Sequence, residues 1–142
     1  MASSPVVRPT VCVDWDGTCV EYRGWAEYEP GVHGDWLPEA VEALRMIARC
    51  CDLVILTARP DADWPEIVRR LAVQDIVARV TDRKPAALAY IDDRAIHYWR
   101  REGWGGPLEQ LGARLRNGVD GWARVDLCAE EPAMRAEEVG CG

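Results

Sequence analysis

Short apolar runs alternate along the chain with longer stretches in which apolar residues recur at helical spacing. The runs predict strands at residues 11–13, 53–56, 76–80 and 88–91. The longer stretches predict helices from an N-cap at Asp35 to about Cys50, around 67–71, over 95–101 and around 108–115. Strands that alternate with helices are typical of an α/β fold, here a Rossmann-like three-layer sandwich with a parallel central sheet.

The segment 18–34 is rich in turn formers and aromatic residues, and we predict it as a flap without regular structure. Only 38 residues separate Thr18 from Thr57, and 26 separate Thr57 from Lys84. The predicted helices and strands use most of both intervals, so we expect no folded cap domain. Without a cap, a site at the carboxyl ends of the strands would be accessible to solvent unless the flap or a second subunit covered it. A homo-oligomer is therefore one alternative.

The chain is acidic, with a formal net charge of −7. Six acidic and two basic residues fall within 120–142, which gives that segment a net charge of −4. We therefore predict one domain over 1–117 and an acidic, weakly structured tail over 118–142. Extended nucleic-acid binding is disfavoured, because it needs a basic surface that displaces counterions. Recognition of a single phosphorylated nucleic-acid end stays open.

The six cysteines form no C-x-x-C pair, and no histidine lies at a spacing that would complete a zinc site. The first nine residues lack the apolar core of a signal peptide. The longest wholly apolar run is far too short to span a bilayer. We expect a cytoplasmic protein in a reducing compartment, with no membrane partner.

Two carboxylates follow the first predicted strand, in Asp14-Trp15-Asp16-Gly17-Thr18. Cleavage of a phosphate monoester needs a nucleophile, a proton donor for the leaving group and positive charge around the phosphoryl group. Gly17 allows the backbone to bend sharply after the strand. One carboxylate could then attack phosphorus while the other reaches the leaving oxygen.

Polar residues also follow the later predicted strands, and the carboxyl ends of parallel strands meet at one edge of a sheet. Thr57 offers a hydroxyl and a backbone amide to phosphate oxygens. Asp92 and Asp93 offer the hard oxygen ligands that Mg²⁺ prefers. Lys84 offers a compact ammonium charge, and it is the one lysine among seventeen basic residues. A pocket beside carboxylates and phosphate is a place where lysine and arginine are not interchangeable.

These motifs, in this order from about residue 10 to 101, resemble the haloacid dehalogenase-like hydrolase superfamily. The segment Tyr90-Ile91-Asp92-Asp93-Arg94-Ala95 is similar to the last motif of its small capless members, including phage-type and polynucleotide-phosphatase-like proteins. The chain departs from the usual pattern at Trp15, which is bulky, and at Lys84, which lies only eight residues before Asp92.

The resemblance implies a Mg²⁺-dependent phosphomonoester hydrolase that forms an aspartyl-phosphate. Asp14 would be the nucleophile and a metal ligand. Asp16 would be the general acid and then the base that activates water, and its backbone carbonyl would also bind the metal. An acid at this second position favours phosphate ester cleavage over the carbon–halogen and phosphonate branches.

The remaining motifs supply phosphate and metal contacts in the same resemblance. Thr57 would hold a phosphate oxygen, and Lys84 would offset the charge of Asp14 and the phosphoryl group. Asp92 would be a metal ligand, with Asp93 a second or a water-mediated one. Substrate contacts are expected from five further residues, which are Gly17, Thr18, Arg59, Arg94 and His33.

Each of these residues also has a simpler interpretation. Asp92 and Asp93 could cap a helix, Arg59 and Arg94 could be surface arginines, and His33 could be an ordinary loop histidine. The whole chain could be a catalytically weak binding or regulatory module on the same fold. A phospho-accepting receiver domain is excluded, because its acidic pair comes early and its phosphorylated aspartate ends a middle strand. The phosphorylated substrate itself is not identified by the sequence.

Overall fold

The structure is a computed structural model that describes residues 7–117 and 123–127. The chain divides into two units, Met1–Ala95 and Ile96–Gly142. The first unit contains, in order, β1 (Thr10–Asp14), α1 (Ala40–Cys50), β2 (Asp52–Leu56), α2 (Trp64–Val73), β3 (Arg79–Thr81) and β4 (Ala89–Ile91). Short 3₁₀ turns cover Trp25–Glu27 and Asp61–Asp63, and the second unit contains α3 (Gly105–Asn117).

The four strands form one parallel sheet in the order β3-β2-β1-β4. This confirms the predicted α/β class with a parallel sheet. Asp14 at the end of β1 pairs with Leu56 at the end of β2. Val13 pairs with Ile91 of β4, and Leu56 pairs with Thr81 of β3. The strands therefore end at nearly the same level, and the residues that follow them meet at one edge.

The core lies where alternate residues of β1 and β2 meet the two helices. Buried side chains on this face are Val11, Val13, Leu53, Ile55, Leu44, Ile67 and Leu71. Both crossovers, β1–α1–β2 and β2–α2–β3, step the same way across the sheet, so right-handed connections place both helices on one face. Cys12 and Val54 belong to the opposite face and are also buried.

The first helix begins at Ala40, so the N-cap predicted at Asp35 is wrong. The residue before a proline is disfavoured in helical conformation, and Leu37 precedes Pro38. The Leu37 amide instead donates to the Cys19 carbonyl, and Glu39 takes a left-handed conformation (φ 69°) just before the helix. Residues 35–39 are therefore part of the loop before α1 and not of the helix.

Two further predictions differ from the structure. β3 is shorter than the predicted strand at 76–80, because the Ile76 amide donates to the Leu71 carbonyl and its side chain closes the core behind α2. The helix predicted over 95–101 does not form; the His97 and Trp99 rings lie 4.3 Å apart in irregular chain. The helix predicted around 108–115 forms as α3, which begins earlier, at Gly105.

The flap lies in the loop from β1 to α1, which contains one 3₁₀ turn, and the segment from β2 to β3 holds α2. Within the described residues neither interval contains a folded cap. The sheet unit ends at Ala95, while the predicted domain over 1–117 stays a prediction. The predicted acidic tail lies outside the described residues except at 123–127. None of the described helices has the length and apolar character needed to cross a membrane.

Candidate functional site

Three carboxylates gather where neighbouring strands end. Asp14 closes β1, and Asp92 and Asp93 follow β4, which lies beside β1 in the sheet. Each carboxylate places one oxygen within 4.8 Å of an oxygen of the other two. The structure thus brings together three of the four residues predicted as metal ligands, and this acidic cluster could hold a metal ion.

The turn after β1 holds the cluster in shape. The Asp93 amide donates to the Thr18 hydroxyl (3.1 Å), which lies 3.2 Å from Asp93 Oδ1 and 3.5 Å from Asp14 Oδ2. Gly17 has a φ of +87°, and a Cβ there would lie 2.5 Å from Asp93 Oδ2. Glycine is therefore required at this position, both for its left-handed conformation and for the close approach of Asp93.

The crowding of like charges shows in the pKa of Asp14. Burial and the neighbouring charges of Asp92 and Asp93 raise this pKa from 3.8 to about 7. A divalent cation would reverse the repulsion. In an octahedral Mg²⁺ site with ligands about 2.0–2.1 Å from the ion, neighbouring ligand oxygens lie about 3 Å apart. The cluster offers carboxylate oxygens, all within 4.8 Å of one another, which are the ligand type that such an ion prefers.

The Asp16 carboxylate is not part of the acidic cluster. Asp16 was predicted to bind the metal through its backbone carbonyl and to use its carboxylate as an acid and base. Both of its oxygens accept hydrogen bonds from the Arg59 guanidinium, from Nε and Nη2, each at 2.8 Å. This two-bond geometry is the strong form of an arginine–carboxylate pair. Its backbone carbonyl as a metal ligand stays a prediction.

Arg59 is only 5% exposed, so its interpretation as a surface arginine is wrong. Its Nη1 lies 3.2 Å from Oδ2 of Asp63, which is 4% exposed. Asp63 also accepts from the Tyr28 hydroxyl (2.6 Å) and the Gly31 amide (2.9 Å), both in the flap. Burial raises the pKa of Asp63, but these hydrogen bonds and Arg59 outweigh it and leave the pKa below its ordinary value. One arginine thus links the flap to Asp16.

Trp15, the bulky residue between the two acids, points into the core and is fully buried. Its Nε1 donates to Nδ1 of His33 at 3.0 Å, and its ring meets Trp36 edge-on at 5.3 Å. His33 must then carry its proton on Nε2, because Nδ1 is the acceptor. Burial, and then the charges of Arg59 and Arg70, lower the pKa of His33. These effects favour the neutral imidazole.

The structure limits which groups of Thr57 and Lys84 could contact a phosphate. The Thr57 amide donates to the Thr81 carbonyl (2.9 Å), so it is already used within the sheet. The Thr57 hydroxyl accepts from the Arg59 amide (3.1 Å) and keeps its own proton for another acceptor. Lys84 is exposed, and its Nζ lies 4.3 Å from the centre of the Tyr90 ring. Among the described residues it forms no ion pair.

A cavity of about 320 Å³ nevertheless brings most of the predicted residues together, since Asp14, Asp16, Thr57, Lys84, Asp92 and Arg94 all line it. Arg94 lies over the Tyr22 ring at 4.8 Å, and its amide donates to Asp92 Oδ1 (2.8 Å). Asp63 was not among the predicted site residues. Its partners Tyr28 and Gly31 lie more than 30 residues away in sequence, so only the fold reveals its part in the site.

Comparisons with known proteins support the fold and do not identify an activity. No family model matches the chain, and no curated protein matches it. A solved structure of a conserved protein from Bacteroides thetaiotaomicron is similar, with a TM-score of 0.51 and 24% sequence identity. The match covers 76% of this chain and 93% of that one. The similarity supports the same small α/β architecture.

The contact between Gly17 and Asp93 predicts the effect of Gly17→Ala. The added Cβ should displace the Asp93 carboxylate and lower the affinity of the cluster for a divalent ion. The rise in Tm caused by Mg²⁺ should therefore be smaller in this variant. Gly103→Ala is the control, because Gly103 also has a positive φ (+72°) but nothing lies within 4 Å of its Cβ position. Equal Mg²⁺ responses in both variants would contradict the proposed clash.

The raised pKa of Asp14 predicts how metal-free stability depends on pH. The folded state binds this proton more tightly than the unfolded chain, since its pKa is about 7 and not 3.8. The free energy of unfolding should therefore fall as pH rises from about 4 to about 7, because over this range the folded state still holds a proton that the unfolded chain has lost. Urea unfolding of Asp14→Asn in EDTA should lack this fall. Asp75→Asn, at an exposed position, should keep it.

Proposed function

We propose that this protein is a Mg²⁺-dependent phosphomonoester hydrolase that acts through an aspartyl-phosphate on Asp14, in the manner of haloacid dehalogenase-like hydrolases. The observation that carries the proposal is the grouping of Asp14, Asp92 and Asp93 within 4.8 Å at the strand ends. Asp16, held apart from the cluster by Arg59, supplies the second acid. The cavity beside them would receive the phosphoryl group.

Bound Mg²⁺ would offset the charge of the phosphate dianion and of Asp14, so that two negative groups can approach. The Asp14 carboxylate attacks phosphorus, and the bond from phosphorus to the ester oxygen breaks. The leaving oxygen takes the proton of the Asp16 carboxylic acid, which becomes a carboxylate. This carboxylate then removes a proton from water as the water oxygen attacks phosphorus and the bond from phosphorus to the Asp14 oxygen breaks. Inorganic phosphate leaves, and Asp14 and the protonated Asp16 are regenerated.

Arg59 fixes the position of the Asp16 carboxylate and so determines which oxygen lone pairs can transfer a proton. Each carboxylate oxygen has two lone-pair positions, and Arg59 uses one on each oxygen. The other positions remain for a proton or for water. Because the guanidinium fixes the plane of the carboxylate, Arg59 is a positioning residue that keeps Asp16 away from the metal ligands and beside the cavity. Thr57 and Arg94 line the same cavity and supply donors to phosphate oxygens.

An assay on an aryl phosphate tests the proposal. The purified protein should release phosphate with Mg²⁺ and not with EDTA. Asp14→Asn should lose activity about a thousandfold or more, because the nucleophile is removed. Asp75→Asn serves as a matched control of the same chemistry at an exposed position and should retain activity. Metal-independent turnover, or full activity in Asp14→Asn, would falsify the mechanism and leave a binding module on this fold as the better account.

Arg59→Lys tests the positioning of Asp16. The variant keeps the charge but loses the two-bond contact, so proton transfer to the leaving oxygen should suffer. We expect kcat for an alkyl phosphate to fall about tenfold to a hundredfold, with a smaller fall for an aryl phosphate, whose leaving group needs less protonation. Arg69→Lys is the control, because Arg69 makes a similar two-bond contact with Glu66 on the exposed side of α2. Equal losses on both substrates would point to a purely structural role for Arg59.

A further inference from the structure

A second and larger cavity, of about 680 Å³, is lined mostly by residues of the flap and is called the flap cavity below. Tyr22 lines both this cavity and the smaller one beside Asp14, so the two are neighbours. Arg59, the partner of Asp16, also lines the larger cavity. Its volume falls within the range of about 300–1,000 Å³ that is typical of small-molecule sites. The pair of cavities provides one space for a phosphoryl group and another for the rest of a substrate.

The wall of the flap cavity is held by contacts at several points. At its ends, Val20 bridges to Trp36, and the Glu21 amide donates to the Asp35 carbonyl (2.9 Å). In the middle, the flap is tied to Asp63 as described above. Arg70 of α2 donates to the carbonyls of His33 and Gly34. These anchors give the cavity a built shape, which a binding site requires.

The charges around the flap cavity exclude a polyanionic ligand. Four carboxylates line it, from Glu21, Glu27, Glu29 and Asp35. Two arginines line it as well, Arg23 and Arg59, but Arg59 is already paired with Asp16 and Asp63. A nucleic-acid backbone would be repelled here. Carboxylates accept hydrogen bonds, so they favour a ligand that carries donors.

His33 adds a donor to this wall of acceptors. The residue lines the cavity and is 9% exposed. Its Nδ1 accepts from Trp15, so its proton is on Nε2, and Nε2 has no hydrogen-bond partner in the described part of the chain. A buried N–H without an acceptor is costly, and a bound ligand could supply the acceptor. An ammonium group donates but cannot accept, whereas a hydroxyl group does both.

We infer that the flap cavity binds the leaving group of the substrate, and that this group is an uncharged polyhydroxyl alcohol, as in a sugar phosphate. The inference rests on the proposed function and narrows its substrate class. Hydroxyl groups donate to the carboxylates of the flap and accept from His33 Nε2–H. The phosphoryl group lies in the smaller cavity, with its ester oxygen toward Asp16.

Substrate comparison tests the inference by activity. The protein should hydrolyse glucose monophosphate with a higher kcat/KM than an oligonucleotide phosphorylated at one end. His33→Asn removes Nε2–H but keeps an acceptor for Trp15, because the asparagine oxygen can replace Nδ1. This variant should lose about tenfold more kcat/KM on glucose monophosphate than on an aryl phosphate. His97→Asn, the same change at the other histidine of the chain, should lose nothing.

A binding measurement separates this inference from the proposed function. Nitrogen-detected imidazole NMR of the Asp14→Asn protein should show His33 with its proton on Nε2. Adding glucose monophosphate with Mg²⁺ should shift this resonance and leave that of His97 unchanged. A shift without any turnover of aryl phosphate in the native protein would support the binding site and reject the hydrolase. Turnover of aryl phosphate with no shift, or a preference for the oligonucleotide, would overturn the inference and retain the hydrolase.

Discussion

Repulsion among three carboxylates at one edge of a parallel sheet is the constraint on which the site depends. Asp14, Asp92 and Asp93 come together because β1 and β4 are neighbours whose ends coincide. Burial and then the charges of Asp92 and Asp93 raise the pKa of Asp14 to about 7, which is a cost that a metal-free protein bears. Gly17 and Thr18 fix the arrangement by close approach and hydrogen bonds. A bound divalent ion would offset this cost, and the proposed chemistry depends on such an ion.

Arg59 is the second organising element, and it lies almost fully buried between two acids. A buried charge of this kind is tolerated only when it is paired and hydrogen-bonded, and Arg59 meets both conditions. Through Asp63 it contacts the flap, and through Asp16 it contacts the cavity beside the strand ends. The position of the flap and the placement of the second acid are therefore parts of one network, joined by Arg59 and Asp63, which lie more than 30 residues away in sequence.

Much of the fold could be predicted from the sequence, because buried parallel strands are written as short apolar runs and the polar residues after them are local features. Asp14, Asp92 and Asp93 were found in this way. The partners of Asp16 and His33 could not be found, since Arg59–Asp16 and Trp15–His33 join residues that only the fold brings together. The predicted helix over 95–101 does not form, because helical spacing alone does not ensure a packed face. α1 begins later than its apolar spacing predicts, because the residue before Pro38 is disfavoured in helical conformation.

Crystals soaked in Mn²⁺, a divalent ion with similar oxygen ligands and a strong anomalous signal, test the central claim most directly. The account predicts one anomalous peak at the strand ends, bound by carboxylate oxygens of Asp14 and Asp92 or Asp93, with the Asp16 carboxylate still on Arg59. A fully occupied peak elsewhere, no peak at millimolar Mn²⁺, or an ion bound by the Asp16 carboxylate would contradict it.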